Sequence, residues 1–172
     1  ISLMAEVLEL KAIAKGSATG VVLESALDKG KGATATVLVQ KGCMNMGDNI
    51  ICGKEYGRIR AMIDQDGKRV DSAKPSMPVV ILGLSGAPEV GDEVLSAVNV
   101  KKIRDIAEFR KTKLRDNKFA SQYQAPTLDN MFSNLKKGEV PTLNILLKTD
   151  VQGSAQAICD SLTKLNTDEV EV

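Results

Sequence analysis

The chain has 172 residues and carries 23 basic against 22 acidic side chains, so its total charge singles out neither a nucleic acid nor a membrane as partner. A hydrophobic share of 43% beside 26% charged residues describes a chain that folds, with room for one ordinary domain or one plus part of another. It contains no His, no Trp and 3% aromatic residues, which removes the commonest general base, the Ser–His and Cys–His nucleophilic pairs, and an aromatic platform for single-stranded bases.

Leu3, Val7 and Leu10 recur at helical spacing and Gly16 ends the pattern, so residues 1–16 read as a lead-in helix. Glu6, Glu9 and Lys11 are wrong for a signal peptide, and no run approaches the length of a membrane span. Cys43, Cys52 and Cys159 are odd in number and form no CxxC pair. A disulfide framework and a zinc site are therefore unsupported, a reducing, cytoplasmic setting fits, and the apolar surroundings of all three predict buried, inert thiols. The start at Ile1 and the end within Glu-Val-Glu-Val mark the sequence as an expected internal piece.

Residues 17–99 change to short β-branched runs punctuated by Gly, Asp and Pro, the texture of an all-β barrel or sandwich. Thr19, Val21, Leu23 and Leu27 alternate with Val22, Glu24 and Ala26, so one face is free to be buried and the other wet. A partner strand is predicted at 34–39, joined by the hairpin loop Asp28-Lys29-Gly30-Lys31-Gly32, whose glycines suit positive φ angles. Alternation over 58–63 points Ile59, Ala61 and Ile63 inward and sets Arg58 and Arg60 on the outer face. Val79–Leu84 is apolar throughout, the pattern of a strand buried on both faces. Gly47-Asp48 and Gly91-Asp92 each stand two residues before an apolar pair. Both read as structural turns in which Gly takes the left-handed conformation and Asp accepts nearby amides.

Eight basic and three acidic residues crowd into 101–118. The stretch lacks Gly and Pro and predicts a long helix within a helical linker over 100–138. Its apolar stripe, Ile103, Ile106, Ala107 and Leu114, is thin and interrupted by Arg110, which suits a solvated helix joining two units. A short amphipathic helix follows on Leu128, Met131, Phe132 and Leu135. From 139 to 172 the order is a buried strand at 143–147, a helix through Ala155, Ile158, Cys159 and Leu162, and a second strand from Glu169. That is the beginning of a truncated α/β/α domain with a βαβ unit.

The runs at 27–39, at 56–62 (Tyr-Gly-Arg-Ile-Arg-Ala-Met), at 82–93 (Leu-Gly-Leu-Ser-Gly-Ala-Pro-Glu-Val-Gly-Asp-Glu), at 146–155 and at 161–172 resemble bacterial translation initiation factor two. The resemblance covers nearly the whole chain in the family's order. It departs at Ala33-Thr34, where the family often has Pro-Val, and at Ala87, where it often has Val. It implies a mainly β fold: a translation-factor-type β-barrel, a helical linker and a truncated α/β unit. It also implies a ribosome-binding, non-catalytic piece of a GTPase whose nucleotide domain, with its GTP and Mg²⁺, and whose initiator-tRNA-binding domain lie outside this sequence. The implied partners are the small ribosomal subunit with its rRNA and the neighbouring domains of the same factor, with no membrane.

Within that frame Lys29 and Lys31 at the hairpin tip, and Arg58 and Arg60 with Lys54 nearby, are candidates to contact RNA phosphates, or else a solvated surface. Lys101, Lys102 and Arg104 on the linker are a weaker candidate, because the charges surround the helix instead of forming a stripe. Asp150-Val151-Gln152-Gly153 imitates the Asp-x-x-Gly switch of GTPases, but no Gly-rich loop ending in Gly-Lys-Ser or Gly-Lys-Thr accompanies it. Asp150 and Gly153 are read as a structural turn leading into a helix. No cofactor, metal or catalytic residue is expected in this chain.

Overall fold

Among the described residues nine strands form, in the order β1 (Thr19–Asp28), β2 (Gly32–Lys41), β3 (Met44–Asn45), β4 (Asn49–Cys52), β5 (Glu55–Ile63), β6 (Arg69–Val70), β7 (Ser72–Ala73), β8 (Pro78–Leu84) and β9 (Glu93–Ser96). The computed structural model describes residues 1–122 and 143–167. Helix α1 (Ser2–Leu8) precedes the strands, and α2 (Val100–Gln122) and α3 (Gln152–Thr163) follow them. The main sheet runs β4-β9-β1-β2-β8-β5-β6, and β4 also pairs with β5. That last pairing closes six strands into a ring, with β6 attached outside it, so the backbone groups of the six find partners on both sides.

The interior is filled by modest side chains. Val22, Val37, Val39, Ile50, Met62, Val79, Ile81 and Val94 are all at most 1% exposed. The small β3–β7 sheet adds Met44 and Ala73 to the same core. Each such aliphatic side chain removed from water contributes roughly 1.5–3 kcal/mol.

Three strands differ from simple alternation, two of them through bulges. In β1 the register against β2 shifts between Val22 and Glu24. The shift buries Ser25 after Val22, and leaves Leu23 and Leu27 outside at 47% and 74% exposure. In β5 the register against β8 shifts between Gly57 and Ala61. Ile59 and Met62, three residues apart, point inward, while Ala61 and Ile63 are half-buried. One extra residue in β1 reverses every face beyond it, whereas in β5 the three residues Arg58 to Arg60 stand opposite Gly83 alone. In β8 only Val79 and Ile81 are buried; Val80 and Leu82 face outward and are half-covered, because a barrel strand has one interior side.

The strand predicted at 143–147 does not form. Among the described residues the segment carries no strand pairing, and Leu143, Ile145 and Leu146 are 54%, 49% and 86% exposed. An apolar run becomes a strand only beside a neighbour that takes its amides and carbonyls. Helix α3 is present, with its first turn against β1. The expected helix at 128–135 and the strand from Glu169 lie outside the described residues.

The lead-in helix is shorter than the expected 1–16: it ends at Leu8, with Glu9 in the left-handed conformation at φ 43°. No residue of it is buried. Of the cysteines, Cys52 is buried in the barrel, Cys43 is half-buried, and Cys159 is exposed on α3, so the expectation of three buried thiols holds only at Cys52. Burial, then the charges of Asp92 and Glu55, push the Cys52 thiol up to about 12.

Two measurements follow from this packing. Gly83 sits at φ +115°, where an added Cβ would lie 2.1 Å from the Arg58 carbonyl oxygen. Gly83→Ala is expected to lower the unfolding free energy by about 2–4 kcal/mol in urea melts, combining backbone strain with the clash. In a thiol-disulfide reagent at neutral pH, Cys159 should react first and Cys52 only upon unfolding; a fast-reacting Cys52 would contradict its place in the core.

Candidate functional site

The candidate cations fall into three groups, with Lys54 apart from them. At the β1–β2 tip Asp28 Oδ1 accepts the amides of Gly30 (2.6 Å) and Lys31 (2.9 Å), which fixes the loop and leaves Lys29 and Lys31 exposed. The Lys31 amide first, then the Gly30 amide, hold the Asp28 carboxyl below its ordinary range. Of the two glycines only Gly32 has positive φ, at 79°; Gly30 does not need it.

Arg58 and Arg60 form the second group, both exposed on the outer face of β5. Arg58 Nε donates to the Gly47 carbonyl at 2.9 Å. The stem of Arg60 passes Gly83 so closely that its Cγ is 3.0 Å from where a Cβ would stand. Each arginine stem thus lies along a residue without a side chain. Lys54 is separate from them: it follows the far end of β4, while Arg58 pairs opposite the strand's first residue, Asn49. Its ammonium is bonded to Glu89 Oε1. The structure therefore brings Arg58 and Arg60 together, sets Lys29 and Lys31 on a different loop, and engages Lys54 with a carboxylate.

The Gly47-Asp48 and Gly91-Asp92 turns are built alike. Both glycines have φ 89°. Asp48 Oδ2 accepts the Asn45 amide and Asp92 Oδ2 the Glu89 amide, each at 2.9 Å, and in both the Asp amide donates to the carbonyl three residues back at 3.1 Å.

Helix α2 carries the third group and is less solvated than its composition implies. Asn99 Oδ1 accepts the Lys102 amide at 3.2 Å and caps the helix start. Ile103 and Ala107 are buried against Ile51, with Tyr56 and Leu95 beside them. Arg110, which interrupts the apolar stripe, reaches the barrel instead: Nη1 donates to the Gly53 carbonyl at 2.7 Å. The next residue, Lys111, meets Glu55 Oε2 at 3.0 Å. Lys101 and Lys102 stay exposed, and Arg104 pairs with Glu108 along the helix at 2.7 Å.

Asp150 makes a different bond from that of a cap. Its Oδ1 accepts the Val151 amide at 2.9 Å, whereas the residue preceding α3 is Val151, with no side-chain cap. Gly153 lies inside the first turn of α3, where a Cβ would stand 3.5 Å from Val90 Cγ2. No group of three His, Cys, Asp or Glu side chains among the described residues could hold a metal ion. Glu55, Ser85, Ser25 and Gln152, which tie the elements together, were not singled out by the sequence, since a Ser or Glu between turns has no periodic signal.

Residues 17–97 match the family model of elongation factor G domain 2, and residues 117–172 match that of translation-initiation factor 2. An elongation factor G domain 2-type segment is thus followed in this chain by one that matches the translation-initiation factor 2 family. The solved structures it is similar to include GDP-bound aIF5B from Aeropyrum pernix, at 21% identity and TM-score 0.49 over 66% of this chain. They also include a bacterial selenocysteine-specific elongation factor, EF-Sec, at 19% identity and TM-score 0.47 over 55% of this chain. A third is the elongation factor SelB from Methanococcus maripaludis in its apo form, at 16% identity and TM-score 0.45 over 56%. The chain spans 22%, 17% and 22% of those three chains, respectively. This is a translation-factor barrel followed by a helix and a further helix, and among the described residues no helix is long and apolar enough to cross a membrane.

The hairpin tip gives a pH test. Because the folded Asp28 carboxyl titrates below its unfolded range, its bonds to the loop amides persist above that range and are lost as pH falls through the depressed value. The Gly30 and Lys31 amide resonances should titrate together with a midpoint below that of an ordinary aspartate, and Asp28→Asn should abolish the titration.

Proposed function

We propose that this chain is the ribosome-docking, non-catalytic segment of an initiation factor of this family, acting in the cytoplasm. In this reading the barrel meets rRNA phosphates of the small subunit through Arg58 and Arg60. Initiator-tRNA binding, and the GTP and Mg²⁺ of the whole factor, belong to other domains. The factor as a whole would promote initiator-tRNA binding to the small subunit and subunit joining in a GTP-dependent way.

The observation that carries this reading is the pair of exposed arginines two residues apart on one outer strand face, since guanidinium groups fit phosphate oxygens bidentately. Lys54 is a weaker candidate because Glu89 already takes its charge. Lys29 and Lys31 offer secondary contacts from a separate loop.

A second reading makes the barrel an internal scaffold that packs on and regulates the nucleotide-binding domain. The exposed Leu3 (74%), Val7 (72%) and Leu10 (81%) of the lead-in segment favour it, because apolar residues at that spacing suit burial against another surface.

Co-sedimentation with small ribosomal subunits across a salt series separates the two. Docking through phosphates predicts binding that weakens with salt, and a log–log salt slope reduced by roughly 2 in Arg58→Ala/Arg60→Ala. Failure of the wild type to bind even at low salt would leave the scaffold reading.

A further inference from the structure

The loop between β8 and β9, Ser85 to Asp92, is gripped from two sides by elements distant in sequence. On one side Ser85 Oγ donates to Glu55 Oε2 at 2.6 Å, and Lys111 of α2 reaches the same oxygen at 3.0 Å. Glu55 is only 7% exposed. Gly86 lies so close over it that an added Cβ would stand 2.8 Å from that oxygen. A carboxylate enclosed in this way depends on its donors, because an uncompensated buried charge is costly.

On the other side Ser25, 1% exposed, donates its hydroxyl proton to the Pro88 carbonyl at 2.6 Å. The side-chain amide of Gln152, in the first turn of α3, is 3.2 Å from the same hydroxyl through its Oε1. One hydroxyl proton serves one acceptor. With that proton on Pro88, turning the Gln152 amide about its own plane brings an N–H to Ser25 in place of the oxygen. Two residues further on, Val90 Cγ2 stands 3.5 Å from where a Cβ on Gly153 of α3 would lie.

The loop between these grips has little freedom. Pro88 is fully buried, Asp92 Oδ2 accepts the Glu89 amide at 2.9 Å, and the Asp92 carboxylate lies across Gly53 where a Cβ would be 2.1 Å from it. Ser85 and Pro88 are three peptide units apart. A displacement that frees Ser85 from Glu55 is carried to the Pro88 carbonyl, which Ser25 holds and which Gln152 reaches through the Ser25 hydroxyl.

We infer that this loop is a mechanical coupler: the seating of α2 on the barrel and the docking of α3 beside it stabilise each other through Ser85–Pro88. The inference does not rest on ribosome binding. It makes α2 a strut whose fit to the barrel is sensed at α3, and by linkage the dependence is reciprocal.

Hydrogen exchange of the full chain tests it. Lys111→Met keeps the aliphatic stem and removes the ammonium; it should speed exchange of the α3 amides by roughly fivefold or more, the low end of couplings between linked sites. Lys111→Arg should restore the wild-type rate. Gln152→Ala should in turn speed exchange in α2. Ile103→Ala loosens α2 at a contact away from the loop and should change α3 less than Lys111→Met does. The proposal is overturned if α3 keeps its wild-type rate in Lys111→Met, if α2 ignores Gln152→Ala, or if Ile103→Ala loosens α3 as much as Lys111→Met, which would route the effect through the connecting chain. Thermal melting of each variant checks that the barrel remains folded.

Discussion

The pairing of β4 with β5 is the contact on which the rest of the molecule depends. Without it the sheet would be an open ribbon of consecutive neighbours with β4 as a bare edge; with it, six strands enclose a single interior. A ring of so few strands has a narrow inside, and the residues that fill it, Val22, Val37, Ile50, Val79 and Val94, are of matching size. The poverty in aromatic residues is the compositional counterpart of that geometry. Closure also brings the turns at 53–54 and 89–92 side by side, where Arg110 of α2 bonds the Gly53 carbonyl and Gly153 of α3 stands near Val90.

How much of this was legible in the sequence depends on the range of the interaction. The hairpin at Asp28–Gly32 and the Gly-Asp turns were legible because a few adjacent residues decide them. The inward and outward faces of β1 and β5 were only half legible. Glu24 and Arg60 look like ordinary members of an alternating run, and nothing local announces that the register against the partner strand shifts beside them. The segment 143–147 failed for the opposite reason: its apolar residues suit a strand, but a strand is a property of two chain segments, and among the described residues none pairs with it.

The candidate site shows the same division. The outward placement of Arg58 and Arg60 followed from alternation alone, whereas the engagement of Lys54 with Glu89 joins residues far apart in the chain and had no sequence signal. Arg110 is the most instructive position. Within the helix it breaks an apolar stripe, which reads as solvation; in space it lies over the barrel and answers a carbonyl left at the β4–β5 turn. A cation on an otherwise apolar face is as well suited to capping a neighbouring turn as to facing water.

The bond from Arg58 to the Gly47 carbonyl has a consequence for recognition. An arginine side chain carries up to about 2 kcal/mol of rotamer entropy, which is forfeited when it is immobilised on a partner. For Arg58 much of that freedom is already gone in the isolated barrel, and its two terminal nitrogens are presented in a fixed plane. Lys29 and Lys31 keep theirs until the moment of contact. Arg58 is thus a preorganised cation that can discriminate by geometry, while Lys29 and Lys31 are loose ones that respond to any negative charge within reach, so orientation and mere attraction are assigned to different parts of the surface.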